Sequence, residues 1–261
     1  MRDQILVIGS LNMDLVVRAP RHPQEGETIL GNQFSTFPGG KGANQAVAAA
    51  RLGTSVTMIG KVGNDAFGHQ LIQIQEKEKI NTQWIDVVND QPTGVALITV
   101  NEKGYNTIVV VPGANACLES NDLIHAKQAF EQAAIVILQL ETPLETVQYA
   151  IEQAKEHQIP ILLNPAPAQQ LPEEILRKVD VLIPNQHELL ILSGQPDMES
   201  AIDYLLSLGV KQLIVTLGED GVLLVSRNER FTIPAFRVKA VDTVAAGDAF
   251  VGAFAVSIMR G

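Results

Sequence analysis

The segment 241–254 combines an acidic residue with a run of small residues at a predicted helix start. Ala245, Ala246 and Gly247 stand directly before Asp248, and helical spacing of apolar residues follows. Small side chains let the N–H groups of a helix N-terminus face outward, where they and the helix dipole can bind an anion. Asp248 would stay ionised there and could take a proton from a hydroxyl while the N–H groups hold a phosphoryl group. The alternative is an ordinary first-turn acidic residue, which is common.

A glycine-rich loop that leads into an alanine-rich helix is the second candidate site. Positions 38–45 read Pro-Gly-Gly-Lys-Gly-Ala-Asn-Gln, and small apolar residues then recur at helical spacing. The common phosphate-loop pattern fails, because no glycine lies five residues before Gly40 and Gly42 follows Lys41. We expect the glycines to let the backbone and the side chains of Lys41 and Asn44 approach a polar ligand closely.

Short apolar runs that alternate with amphipathic segments predict the fold class. Strands are expected at 5–8, 56–59, 135–140, 161–163, 181–183 and 213–215. Helices are expected at 65–79 and 120–133, and a further one starts from a capping box at 142–145 with Pro143 at its first helical position. Repeated βα units with right-handed crossovers indicate an α/β fold, a doubly wound and mostly parallel sheet flanked by helices.

Two regions interrupt this alternation. The stretches 15–18 and 28–37 alternate weakly with no helix between them, and 94–100 and 106–111 read as a β-hairpin. We expect these strands to form a small antiparallel β lid. The predicted lid comprises 12–37 and 93–112, and the predicted core comprises 1–11, 38–92 and 113–261.

Polar residues follow the predicted strands at their carboxyl ends. In open α/β sheets, ligands bind in the crevice at that edge, so side chains from several strands can meet there. Each residue alone is as easily a helix cap or a turn residue, and Asn12 with Asp14 could form an Asx turn. Because polar residues follow several strands at the same edge of the sheet, one shared site is favoured. The residues are Asn12, Asp14, Glu141, Asn164, Asn185, Glu188 and Thr216.

Two of these strand ends suggest nucleotide chemistry. Asn185 and Glu188 would share one face of a first helical turn, an arrangement that suits a water-coordinated Mg²⁺ beside phosphates. The glycine turn at 216–221 is either a plain hairpin or a place where the backbone approaches a nucleotide.

Composition limits the possible partners. The net charge of −10 argues against a nucleic-acid or anionic-membrane partner. Cys117 is the single cysteine, so no internal disulfide can form, and one thiol with five scattered histidines builds no metal cluster. We therefore expect a cytoplasmic protein, and the sequence contains no apolar run near 18 residues.

The motifs together give a family resemblance. Pro38-Gly39-Gly40-Lys41-Gly42-Ala43-Asn44 and Asp242-Thr243-Val244-Ala245-Ala246-Gly247-Asp248 resemble the two signatures of the ribokinase-like (PfkB) carbohydrate kinases. Three shorter motifs support the resemblance, which covers essentially the whole chain. They are Gly9-Ser10-Leu11-Asn12-Met13-Asp14, Val111-Pro112-Gly113-Ala114-Asn115 and Asn164-Pro165-Ala166-Pro167.

The resemblance implies MgATP-dependent phosphorylation of D-ribose at its 5-hydroxyl. Asp248 matches the catalytic base, and the backbone of Ala246, Gly247 and Asp248 matches the anion hole. The positions that match the sugar side are Asn12, Asp14, Gly40, Lys41, Asn44, Glu141 and Asp248. The positions that match the nucleotide side are Asn185, Thr216, Gly218, Glu219, Gly221 and Gly247. Glu188 matches an acid linked to Mg²⁺ and phosphate, and Asp242 with the Val244 carbonyl matches a site for activating K⁺.

The family continues beyond the point that corresponds to Gly261, through elements that close the adenine pocket and complete the cation site. We therefore expect a shortened chain with weaker ATP binding and weaker K⁺ activation. The alternatives are a kinase for another pentose, such as deoxyribose, for a hexose or for a nucleoside, or a non-catalytic sugar-binding remnant. A homodimer through the lid is also expected, because the edges of the lid sheet can pair between subunits.

Overall fold

Apolar runs of the sequence form a nine-stranded sheet, the larger of two sheets in the computed structural model, which describes residues 2–239 and 243–260. The strands are β1 (Gln4–Ile8), β2 (Asn12–Arg18), β3 (Gln33–Gly39), β4 (Ser55–Gly63), β5 (Asn81–Val88), β6 (Gly94–Val100), β7 (Asn106–Val111), β8 (Ala133–Leu138), β9 (Ile161–Leu163), β10 (Val181–Leu182), β11 (Gln212–Thr216), β12 (Val222–Ser226) and β13 (Arg230–Ile233). The helices are α1 (Lys41–Arg51), α2 (Ala66–Lys77), α3 (Ser120–His125), α4 (Lys127–Gln132), α5 (Leu144–Glu156), α6 (Glu173–Leu176), α7 (Gln186–Ser193), α8 (Met198–Leu208) and α9 (Ala246–Arg260).

The large sheet confirms the predicted mostly parallel architecture. Its order is β13-β12-β11-β10-β9-β8-β1-β4-β5, and every neighbouring pair from β11 to β5 is parallel. The last two strands, β12 and β13, are added antiparallel. Side chains of β1 enter two separate buried clusters, Leu6 and Ile8 on one face and Ile5 and Val7 on the other. Burial on both faces explains why this strand is continuously apolar.

The two clusters divide the helices between the faces of the sheet. Residues from α3 to α8 pack in the cluster that contains Leu6, and residues from α1, α2 and α9 pack in the cluster that contains Ile5. Consequently α1 and α9, which carry the two strongest sequence motifs at their N-termini, lie on the same face of the sheet.

The small sheet has the order β3-β2-β6-β7. The β6/β7 hairpin and the β2/β3 pair are antiparallel as predicted, but the central pair, β2 with β6, is parallel. In this parallel register Asn12 lies beside Gly94, so β2 and β6 enter the small sheet side by side. Since Asn12 also pairs with Gly39, and Val95 pairs with Val111, the chain enters and leaves the small sheet at four points along one of its ends.

Three local predictions differ from the structure. The strand expected at 28–37 is β3, which starts only at Gln33. The helix expected at 120–133 breaks at Ala126, which ends α3 and precedes α4, and Ala133 already belongs to β8. The capping box at 142–145 is absent from the described structure, since Pro143 has a non-helical ψ of 135° and is itself the N-cap residue.

No helix in 2–239 or 243–260 combines the length and the apolar character needed to cross a membrane.

Candidate active site

Asp248 lies on α9 where that helix packs tightly against α1. A Cβ built at Gly252, one turn along α9, would lie 2.6 Å from the carbonyl oxygen of Gln45 and 2.7 Å from the Cβ of Ala48. A residue without a side chain is required for this approach of two helices. The first turn of α9 therefore stands beside the first turn of α1, which begins at Lys41.

The Asp248 carboxylate is held at both of its oxygens. Oδ2 accepts a hydrogen bond from Nδ2 of Asn44 at 3.0 Å, and Oδ1 accepts one from Nε2 of Gln45 at 3.0 Å. The side chain is only 8% exposed. Burial raises the pKa of Asp248 above its ordinary value, against the opposing effects of the Lys41 charge and the two amide hydrogen bonds. A carboxylate with a raised pKa is a stronger proton acceptor than a free aspartate.

The turn before α9 is where the sequence predicts an anion hole. Ala245 has a positive φ of 57°, which turns the chain into the helix. The N–H of Ala246 donates to the carbonyl oxygen of Thr243 at 3.2 Å, so it is not directed at an anion in this conformation. Gly247 is exposed, and a Cβ there would meet no atom within 4 Å, so the backbone at that position is open to a ligand.

Glu141 follows β8 and reaches the start of α1. Its Oε2 accepts hydrogen bonds from the backbone N–H of Lys41 at 3.0 Å and from the Ser10 hydroxyl. Gly40 precedes this helix with φ at 90°, and a Cβ there would lie 2.7 Å from the backbone nitrogen of Asn12. The glycine loop therefore presses against the chain where it passes from the large sheet to the small one.

Asn12 and Asp14 are the first and third residues of β2, so they belong to a strand and not to an Asx turn. As alternate residues of a strand, they face the same side of the sheet. Asn12 is buried, and its Oδ1 accepts a hydrogen bond from Nδ2 of Asn115 at 2.8 Å. The carboxylate of Asp14 lies against the backbone of Gly39, where a Cβ would overlap it.

Three carboxylates and one lysine influence each other at this place. Burial raises the pKa of Asp14 to about 6, the negative charges of Glu141 and Asp248 add to the rise, and Lys41 opposes it. The structure therefore brings together all the residues assigned to the sugar side. Several donors and acceptors that converge at one partly buried place are what a polyhydroxylated ligand needs.

Asn185 and Glu188 cap α7 in this structure. Oδ1 of Asn185 accepts from the N–H of Glu188 at 2.8 Å, and Oε2 of Glu188 accepts from the N–H of Asn185 at 2.8 Å. Burial raises the pKa of Glu188, Lys41 opposes the rise and Asp248 adds to it, so Glu188 lies within electrostatic reach of the catalytic candidates. The backbone of Asn185 is bridged to Thr216, the last residue of β11.

The segment from Gly218 to Gly221 connects β11 and β12, which are antiparallel. It contains a single 3-10 turn at Gly218–Asp220, with Glu219 exposed. Gly221 has φ at 99°, and a Cβ there would overlap the carbonyl oxygen of Ile233. This glycine is therefore required by strand packing, whereas Gly218, at φ 62°, has open space around it.

No group of three histidine, cysteine or acidic residues suited to a metal occurs in the described part of the chain. Asp242, one of the two predicted cation ligands, lies outside the described residues. Val244, the other, is exposed in the turn before α9.

Four buried or hydrogen-bonding residues support the site, although the sequence analysis gave none of them a role. They are Ser10, Gln45, Asn115 and Gln139, and each bonds to a predicted site residue or to another of the four. One signal was available for Gln45, because it interrupts the small apolar face of α1 formed by Ala43, Ala46 and Ala49.

The chain is similar to known proteins in both sequence and structure. The sequence matches the family described as pfkB family carbohydrate kinase over residues 2–261. A deoxyribokinase of Salmonella typhimurium is 44% identical over 257 residues, which cover 96% of this chain and 84% of that protein. A ribokinase of Bacillus subtilis is 43% identical over 257 residues, which cover 98% of this chain and 86% of that protein. The solved structure of Arabidopsis thaliana ribokinase complexed with ribose and ATP has a TM-score of 0.90 at 33% identity, and the match covers 100% of this chain and 87% of that one.

Proposed function

We propose that this chain, which belongs to the pfkB family of carbohydrate kinases and is a sugar kinase, transfers the γ-phosphoryl group of ATP to the 5-hydroxyl of D-ribose. The products are ribose 5-phosphate and ADP. The observation that carries the proposal is the buried Asp248 carboxylate, which Asn44 and Gln45 hold at both oxygens. The ribokinases among the relatives support ribose as the acceptor.

Deoxyribose is the second candidate acceptor. The deoxyribokinase of Salmonella typhimurium is as similar to this chain, at 44% identity, as the ribokinase of Bacillus subtilis is, at 43%. The two sugars differ by one hydroxyl, at carbon 2. A site that hydrogen-bonds this hydroxyl would discriminate strongly against the sugar that lacks it, so the two acceptors are separable by kinetics.

In the proposed mechanism, the oxygen of the sugar 5-hydroxyl attacks the γ-phosphorus while Asp248 takes the proton of that hydroxyl. The bond from that phosphorus to the oxygen shared with the β-phosphate then breaks, and ADP leaves with the electron pair. Phosphoryl transfer depends mainly on positioning and charge stabilisation, so an aspartate that accepts the proton late is a sufficient base. The exposed backbone at Gly247, at the positive end of α9, would stabilise the negative charge on the transferred group.

The proposed sugar site uses the groups that converge on Asp248. Asn12, Asp14, Lys41 and Glu141 supply donors and acceptors for hydroxyls, and the loop at Gly40 brings backbone close to the ring. Asn44 would contact both Asp248 and the sugar, because only one of its two amide hydrogens is used in the bond to Asp248.

On the nucleotide side, we assign Asn185, Thr216 and the turn with Gly218, Glu219 and Gly221. Glu188 fits a magnesium ion that arrives with ATP, since carboxylates commonly contact such an ion through its bound waters. When bound, Mg²⁺ neutralises phosphate charge. We keep Asp242 and the Val244 carbonyl as the proposed K⁺ ligands.

We also propose that the lid, 12–37 and 93–112, joins two copies of the chain. On the face opposite Asn12 and Asp14, the strand register places a patch of exposed apolar side chains from two neighbouring rows. Val17, Phe34, Leu97 and Val109 form this patch, and Phe34 and Val109 are 63% and 61% exposed. Exposed apolar patches of this kind mark interaction surfaces.

The test is ADP release with D-ribose, 2-deoxy-D-ribose, D-fructose and adenosine, each with K⁺ and with Na⁺ only. We expect D-ribose to give the highest kcat/KM, with stimulation by K⁺. The Asp248→Asn variant should lose about 10²- to 10⁴-fold in kcat, the typical contribution of a general base, with little change in ribose affinity. A higher kcat/KM with another acceptor would overturn the assignment of ribose as the substrate. Near-normal turnover of Asp248→Asn would overturn the assignment of Asp248 as the base.

A further inference from the structure

We infer that Gln45 is a positioning residue for the reaction, and that it directs the basic lone pair of Asp248 to Oδ2. This inference rests on the proposed role of Asp248 as the base. It concerns a buried chain of side chains, Gln139–Gln45–Asp248, which we call the amide relay.

The amide relay is fully enclosed. Gln45 is 0% exposed and Gln139 is 1% exposed. Nε2 of Gln139 donates to Oε1 of Gln45 at 2.6 Å, and Nε2 of Gln45 donates to Oδ1 of Asp248 at 3.0 Å. The three side chains come from the strand-end segment after β8, from α1 and from α9, so the relay links three separate elements.

The hydrogen-bond partners allow one orientation of the Gln45 amide. Its Nε2 faces two acceptors, the Asp248 carboxylate and Oδ1 of Asn164 at 3.1 Å. Asn164 cannot present its nitrogen instead, because its Nδ2 donates to the carbonyl oxygen of Ile183 at 2.9 Å. An ionised carboxylate can only accept, so a reversed Gln45 amide would set oxygen against oxygen at two contacts.

Gln139 fixes the other end of Gln45. Its Oε1 lies against the backbone of Gly9, where a Cβ would overlap it, and this buried oxygen has no hydrogen-bond partner in the described structure. A buried unpaired acceptor destabilises a fold, and an apolar side chain would avoid it. What Gln139 contributes in return is its donation to Gln45, the one bond of its side chain that the described structure contains.

The relay makes the two oxygens of Asp248 unequal. Oδ1 faces the enclosed Gln45, whereas Oδ2 faces Asn44, which is half-buried. Rotation of the carboxylate would break the bond from Gln45 to Oδ1, so Oδ2 is the atom presented to a sugar hydroxyl. The Gln45 bond also favours the ionised carboxylate, which lowers the pKa that burial raises.

The test compares two buried glutamines. Gln45→Met keeps the volume and removes the donor. Gln75→Met is the matched control, because Gln75 on α2 is 1% exposed and also has an unpaired Oε1. For both variants the measurements are kcat, KM and Kd for ribose, and the pH dependence of kcat/KM, with Asp248→Asn assayed in parallel.

We expect Gln45→Met to lower kcat by about 10- to 100-fold, the scale of effect that misplaced catalytic groups produce. Ribose Kd should change little, and the acidic limb of the kcat/KM profile should move to higher pH. Gln75→Met should leave the kcat and the profile unchanged. Gln139→Met should move the limb in the same direction by less, and the Gln45→Met/Gln139→Met double variant should match Gln45→Met alone.

An unmoved acidic limb in Gln45→Met, or a shift equal to that of Gln75→Met, would overturn the inference. If Gln45→Met does not fold, Gln139→Met decides, and an unmoved limb there has the same meaning. Full activity of Asp248→Asn would instead remove the proposed base itself, so the two failures are distinguishable.

Discussion

Replacing Gly252 by alanine tests how far the site depends on the contact between α1 and α9. The new Cβ would lie 2.6 Å from the Gln45 carbonyl oxygen, where ordinary contacts begin at 3.4 Å. The helices must therefore separate by about 0.8 Å at this point. Overpacking of this kind costs about 1–3 kcal/mol. Alanine returns up to about 1 kcal/mol through its better helix propensity.

The net expectation for Gly252→Ala is a loss of about 1–2 kcal/mol in the free energy of unfolding. For a chain of this size, the loss corresponds to a fall of about 2–8 °C in Tm. Because Asn44 and Gln45 hold Asp248 at 3.0 Å, the same separation would stretch both hydrogen bonds beyond the range in which such bonds are effective. We therefore expect kcat to fall more than stability alone would explain.

Thermal unfolding and ADP release at 25 °C measure the two effects. Ser257→Ala is the control, because this residue lies on the exposed face of the same helix and gains helix propensity without a clash. A Gly252→Ala protein that is as stable as the native chain would refute the packing argument. Reduced stability with unchanged kcat would refute the link to Asp248.

Two further predictions concern the sugar site and the lid. Ribose affinity should fall as the pH drops below about 6. Burial first, and then the charges of Glu141 and Asp248, raise the pKa of Asp14 to about 6, and only the ionised carboxylate accepts strong hydroxyl hydrogen bonds at both of its oxygens. Calorimetry at pH 5 and pH 7 measures this, Asp14→Ala should weaken binding at pH 7 by about 1–3 kcal/mol, and an equal dissociation constant at both pH values would contradict the assignment. Val109→Lys on the exposed lid face should convert a dimer to monomers in analytical ultracentrifugation, whereas Ile124→Lys, at an equally apolar exposed position on α3, should not; a dimer that survives Val109→Lys forms elsewhere.

The fold was predictable from local patterns because a strand that is buried on both faces of a sheet has a continuous run of apolar residues. The apolar run at 5–8 identified β1 as a central strand, and the turn at 101–105 identified the β6/β7 hairpin. The parallel pairing of β2 with β6 was not predictable, because it joins residues about 80 positions apart and depends on how both strands leave the large sheet.

The candidate site was predictable where a motif residue has evident chemistry of its own, and not where a residue acts by supporting another side chain. Asp248, Lys41 and Asn44 occupy motif positions with evident chemistry. The partnership of Gln45 with Asp248 spans 203 residues, and that of Gln139 with Gln45 spans 94. Such contacts arise from tertiary packing, and no local spacing signals them.

The chain enters and leaves the small sheet at four points along one end, so a rotation about this end moves the opposite end of the sheet most. Asn12, Gly39, Gly94 and Val111 form a line along one end, and β2 extends seven residues from it, or about 23 Å. A rotation of roughly 10° about this line would move the far end of β2 by about 4 Å. Asp14, only about 7 Å from the line, would move by about 1 Å. A sugar that shifts Asp14 by about 1 Å would therefore displace the far end of β2 about four times as far. A spectroscopic label at the tip of the small sheet would then report sugar binding as a larger movement than a label beside Asp14.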